Sequence, residues 1–163
     1  MDFDHVPEFL NSVYEPLCIR TKKFCDSVKE QNIPFERGFY NHHTVRKGDS
    51  YFLEHFPIPV VTLKCLGDFG FELDHVFFEA VIPRNKALEL DFTGIARDFD
   101  FDVYGAENYL CDFYHAGMDV SCIRELILSS AETEICVSLR FPPDTDASAL
   151  LGSAKRLVKI SML

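Results

Sequence analysis

Between Val60 and Phe92 the chain spells three consecutive strand-like segments, and a sheet built from them dictates what the other residues must do. Val60–Leu66 (VVTLKCL) is β-branched and apolar, and Pro57 and Pro59 keep a helix from running into it. Gly67 and Gly70 bracket Asp68-Phe69, a pattern that predicts a tight hairpin. In Phe71–Ile82 the apolar parity changes. Phe71 and Leu73 hold one parity, while Val76, Phe78, Ala80 and Ile82 hold the other, so a β-bulge near Asp74-His75 is expected. Pro83–Lys86 then reads as a turn into a third strand, Ala87–Phe92, in which Leu88, Leu90 and Phe92 alternate with Glu89 and Asp91. Such a meander needs a covering layer on its apolar face.

Two segments can supply that cover. Val6, Phe9, Leu10, Val13, Leu17, Phe24 and Val28 recur at three- and four-residue spacing, which predicts a long N-terminal helix kinked or split at Pro16, with Arg20, Lys22, Lys23 and Lys29 on its solvated side. At the other end, Leu150, Leu151, Ala154, Leu157 and Val158 mark a helix over 144–160, capped by Asp144 or Asp146. Further strands are expected at Phe35–Val45, Tyr51–Phe56, Asp98–Val103 and Glu134–Phe141, and a helix at Asp119–Leu128; Glu107–His115 suits helix and strand about equally. The fold class is therefore α+β, a single domain over 1–163, with an antiparallel sheet of about five to seven strands and N- and C-terminal helices packed on it.

At 47% apolar and 13% aromatic residues, 163 residues suffice for one packed core. The net charge of −10 argues against nucleic acid and anionic membrane, which are held mainly by Lys and Arg contacts to phosphate. No run approaches the roughly 18 apolar residues of a spanning helix, and no secretory leader pattern opens the sequence, so a cytoplasmic location is expected. The six cysteines are scattered without a C-x-x-C pair, which fits reduced core thiols rather than disulfides or a zinc knuckle.

Local catalytic motifs fail on their surroundings. Asp68-Phe69-Gly70 spells a kinase magnesium motif without the glycine-rich and catalytic loops that would give it meaning. Asp98, Asp100 and Asp102 mimic the start of a calcium loop, but the sixth and twelfth positions are Val103 and Tyr109 instead of Gly and Glu. That alternation predicts an amphipathic edge strand with three carboxylates on one face.

Two constellations remain. His42, His43, His55 and His75 with Glu54 or Glu79 could meet as a two-histidine, one-carboxylate group, although nothing in the spacing brings them together and no metal ligand is assigned. The second is a cationic cluster in an acidic chain: His43, Arg46 and Lys47, flanked by Tyr40 and Tyr51, on a hairpin whose turn contains Gly48. These five residues form the expected ligand-binding set, and an anionic small molecule is the expected ligand. The function that fits is a non-catalytic small-molecule or protein-partner binding or regulatory module; the alternative is an enzyme with a scattered His/carboxylate site, metal-dependent if the histidine group above is assembled. A homodimer through a strand edge or helix face is the candidate assembly, and no cofactor is indicated.

The hairpin assignment makes a direct prediction. Arg46→Ala and His43→Ala should each reduce the thermal stabilisation given by anionic ligands in a melting screen, since each removes a charge-assisted contact of about 1.5–3 kcal/mol. Anions that leave the melting temperature unmoved in the unaltered protein would dismiss it.

Overall fold

The computed structural model describes residues 6–41, 57–64, 66–108 and 110–162. Helix α1 (Val6–Glu30) is followed by strands β1 (Phe35–Asn41), β2 (Pro57–Leu63), β3 (Gly67–Phe71) and β4 (Val76–Pro83). Two short helices, α2 (Arg84–Ala87) and α3 (Phe92–Asp98), lead to β5 (Asp100–Gly105) and the brief β6 (Asp112–Tyr114). A 3-10 turn at Val120–Cys122 opens α4 (Ile123–Ser129), and β7 (Glu134–Phe141) and α5 (Ala147–Met162) complete the order. The strands form one antiparallel sheet in the order β1-β2-β3-β4-β7-β5-β6. The α+β class, the strand number and the two flanking helices agree with the sequence expectation.

Strand alternation separates two faces. On one, Val61 and Leu63 of β2, Phe69 and Phe71 of β3, Val76, Phe78, Ala80 and Ile82 of β4, and Ile135, Val137 and Leu139 of β7 are buried together. Every described helix contributes to this same core: Phe24 and Val28 of α1, Ala87 of α2, Ile95 of α3, Ile127 of α4 and Leu151 of α5 are examples. The Phe24 ring lies 4.7 Å from Phe69, which lies 4.7 Å from Phe78, so part of the phenylalanine content forms a continuous aromatic seam under α1. The opposite face carries Val60, Phe77 and Cys136, which are also buried but stand outside that cluster.

Several boundaries differ from expectation. The β2–β3 hairpin closes before Gly67: Leu66 N–H bonds the Leu63 carbonyl, and Gly67 already pairs with Leu63. Gly67 is needed in the strand: its φ is +146°, and a Cβ there would strike the Glu79 carbonyl. The parity change at Asp74-His75 is a hairpin turn, not a bulge. Phe71 pairs with Val76, and Glu72 N–H bonds the His75 carbonyl at 2.9 Å, so the chain reverses where the pattern changes. Ala87–Phe92 is not a strand. Ala87, Leu90, Phe92 and Ile95 are the buried positions, and Asp91 accepts a bond from Gly94 N–H at 3.0 Å to start α3. Leu90 and Phe92 share parity by coincidence with that helical spacing.

Helix α1 runs through Pro16 without splitting, and the turns that follow it are held in the core by Leu17, Phe24 and Val28. Arg20 is not a solvated residue; its guanidinium donates to the Pro143 carbonyl at 3.0 Å and to the Glu72 carbonyl, joining α1 to the loops after β7 and β3. Strand β5 is interior, between β7 and β6, and Asp98 has left its face to end α3 and bind Arg156 of α5. The five cysteines among the described residues are free thiols; Cys25 and Cys136 are buried and Cys111 is half-buried, while Cys18 and Cys122 are exposed rather than in the core. No described helix is long and apolar enough to cross a membrane.

On the outer face the Phe77 ring lies where a Cβ on Gly70 would be, so Gly70 is the space Phe77 packs into. Gly70→Ala is expected to destabilise by about 1–3 kcal/mol, the usual cost of overpacking. Most of that loss should vanish in the Phe77→Ala background when both pairs are compared by urea denaturation; equal losses in the two backgrounds would refute the contact.

Candidate functional site on the outer sheet face

The register aligns polar side chains across the outer face. Glu36 of β1 pairs with Thr62 of β2, Thr62 with Asp68 of β3, Asp68 with Glu79 of β4, Glu79 with Ser138 of β7, and Ser138 with Asp102 of β5. Strands are spaced by about 4.8 Å, so these groups form one line perpendicular to the strands. Beside it lies a second line of Val81, Cys136, Tyr104 and Asp112. Alternation makes this arrangement: an outer-face residue sits between inward-facing neighbours, as Ser138 does between the buried Val137 and Leu139.

At its centre the Tyr104 hydroxyl reaches across β7 and donates to Glu79 Oε1. Burial raises the Glu79 carboxyl above the ordinary glutamate range; the tyrosine bond opposes this, and Asp68, Glu72 and Asp102 add to the rise. Asp102 is raised by burial too, with the Arg140 guanidinium opposing from 3.0 Å. Burial also drives the Tyr104 phenol far above its usual value and the Cys136 thiol up to about 12. Both are therefore neutral near pH 7, which leaves Cys136 without the thiolate a nucleophile needs. Between Glu79 and Asp102 the Ser138 residue is 9% exposed, and its hydroxyl has no side-chain hydrogen bond among the described residues. The line can thus accept hydrogen bonds from a donor while one buried hydroxyl stands ready to join it.

A second group sits at the β3–β4 turn, where His75 lies between two carboxylates. Its Nδ1 is 2.8 Å from Asp74 Oδ1, and its Nε2 is 3.7 Å from Glu72 Oε1. Glu79 and His75, expected as partners, turn instead to Tyr104 and to this pair. Of the expected anion-binding set, Tyr40 is placed by its backbone alone, paired with Ile58 at the end of β1. The Tyr40 side chain, His43, Arg46, Lys47 and Tyr51 lie outside the described residues, as do His42, Glu54 and His55. Asp100 and Asp102 do share a face, and both lie near Arg140, at 4.0 and 3.0 Å.

No family model and no curated protein matches the chain. Among solved structures, the fold is similar to that of the conserved hypothetical protein Pfu-178653-001 from Pyrococcus furiosus, with a TM-score of 0.67 over 98% of this chain and 96% of that one. The identity is 21%, so the likeness concerns the fold alone.

Sequence reasoning missed Tyr104, Cys136, Ser138 and Asp68. Part of the signal was present: Cys136, Ser138 and Arg140 share one parity of β7, as Asp100, Asp102 and Tyr104 do of β5. Register between strands 30 residues apart carries no local mark, so which polar residues meet could not be read.

The Glu79 environment sets a pH dependence. A carboxyl raised on folding binds its proton more tightly in the native protein, so its contribution to stability is complete below the unfolded value and is lost as pH rises through the folded value. The stability of the protein relative to its Glu79→Gln variant should accordingly fall as pH rises above the ordinary glutamate range, about 4.3. Denaturant titrations over a series of rising pH values measure it, and a difference that grows with pH would contradict the assignment.

Proposed function

We propose that this chain is a non-catalytic binding module that takes a cationic group, an ammonium or guanidinium, on the polar line of its outer sheet face. The observation that carries the reading is the Asp68, Glu79, Ser138, Asp102 line, in which acceptors sit beside a buried hydroxyl without a side-chain partner. Carboxylates crowded onto one half-buried surface hold their protons too tightly, and a ligand cation relieves that condition better than water does. The neutral Tyr104 and Cys136 favour binding over covalent chemistry, since each serves as a hydrogen-bonding wall and neither as a nucleophile. The exposed Val81 flanks the line and offers apolar surface to a ligand's methylene groups.

A cation and the Glu79 proton compete for one carboxylate, so affinity should rise with pH through the raised Glu79 titration. Calorimetry with spermidine as a small ammonium ligand, and with an arginine-rich peptide as a stand-in for a protein partner, tests the two sources of that chemistry. Asp68→Asn and Glu79→Gln should each weaken the ligand that binds by about tenfold to a hundredfold, the equivalent of one charge-assisted bond. If neither ligand binds, or the one that binds ignores both substitutions, the proposal fails.

A further inference from the structure

The β3–β4 turn carries its own chemistry, apart from the polar line. Glu72, Asp74 and His75 each offer a ligand atom, and these atoms lie within 4.8 Å of one another. The Asp74 carboxylate, 2.8 Å from Nδ1, can only accept there, so Nδ1 carries the proton of that hydrogen bond and Nε2 is the nitrogen that faces Glu72. The Nε2 to Glu72 Oε1 separation of 3.7 Å is too long for a hydrogen bond. Two atoms bound to one zinc-like ion, at metal distances of about 2.0–2.2 Å and a tetrahedral angle, stand about 3.4 Å apart. The observed separation is close to that and shorter than the span of two such bonds in a straight line.

From this geometry we infer that the turn binds a zinc-like divalent cation, with His75 Nε2 and Glu72 as its protein ligands and Asp74 as the residue that positions the imidazole. A carboxylate on the far nitrogen of a metal-bound histidine is the usual supporting arrangement, since it fixes the tautomer and makes the ligating nitrogen more basic. Imidazole with carboxylate suits zinc, cobalt or nickel rather than magnesium or calcium, which prefer oxygen alone. The His75 and Glu72 side chains are only 13% and 10% exposed, so the ring is held in place before an ion arrives. The turn is closed by the backbone bond from Glu72 N–H to the His75 carbonyl, and the Arg20 guanidinium is occupied with the Glu72 and Pro143 carbonyls. Two protein ligands among the described residues leave positions for further ligands or water, and the inference does not depend on the cation reading of the polar line.

The alternative occupant of the gap is a proton, giving an imidazolium between two carboxylates. Histidine-ring NMR of the full chain, chelator-treated and then titrated with zinc at pH 7, separates the two. Zinc should shift the His75 Nε2 resonance and leave Nδ1 protonated, and cobalt(II) should broaden that ring at the same stoichiometry. His75→Ala and Glu72→Gln should each abolish one equivalent of zinc binding in calorimetry. Asp74→Asn should retain that equivalent with affinity about tenfold lower, a typical loss for a supporting carboxylate. Circular dichroism confirms that each variant is folded, and the Nε2 shift in the unaltered protein stands as evidence even if a variant is not. A His75 ring that stays doubly protonated through the titration, or zinc binding that survives His75→Ala undiminished, would overturn the site.

Discussion

The pairing of β4 with β7 is the contact on which the rest of the architecture hangs. It is an unbroken ladder from Val76–Phe141 to Pro83–Glu134, in the middle of the sheet, made by segments separated by the whole run of α2, α3, β5, β6 and α4. Its register decides both faces together. Val76, Phe78, Ala80 and Ile82 with Ile135, Val137, Leu139 and Phe141 form the surface that the helices cover. The same register brings Glu79 against Ser138 and Val81 against Cys136 on the other side. A slip of one residue would turn the carboxylate into the helical core and the phenylalanine out of it, an exchange far more costly than any single bond in the sheet.

Much of the fold was legible because it follows from local period and composition. The long α1 stripe, the cap at Asp146, whose side chain accepts from Ala149 N–H at 2.8 Å, and the β-branched β7 are patterns a few residues long. The parity change after Leu73 was also a true signal, since Phe71 ends β3 and the second apolar set lies on β4, with the exposed Leu73 in the turn between them; what the sequence could not distinguish was a bulge from a reversal. The third strand over Ala87–Phe92 failed for a different reason. Leucine and phenylalanine at alternate positions are compatible with one wall of a helical turn, and only the Asp91 cap and the burial of Ile95 decide between the two.

The outer face was legible one strand at a time. Within β5 and β7 the polar parity is plain, but the meeting of Tyr104 with Glu79 across an intervening strand depends on register and on the length of a tyrosine side chain. Among the described residues the partners of His75 are its sequence neighbours Glu72 and Asp74, and the other histidines weighed with it lie outside them. Turn geometry accounts for this: the four residues from Glu72 to His75 reverse direction, which brings the Glu72, Asp74 and His75 side chains together at the tip.

Strand order also bears on how the chain is made. Because β7 inserts between β4 and β5, a ribosome that has released every residue through β6 has produced two sheet fragments that cannot yet be joined. Until residues 134–141 emerge, the β4 edge is open, with its backbone groups unpaired and Phe77 and Phe78 on its two faces. Edges of this kind recruit strands from other chains. The interval between synthesis of Pro83 and of Phe141 is thus the period in which a nascent chain is most exposed to misassembly, and the last strand made is the one that ends it.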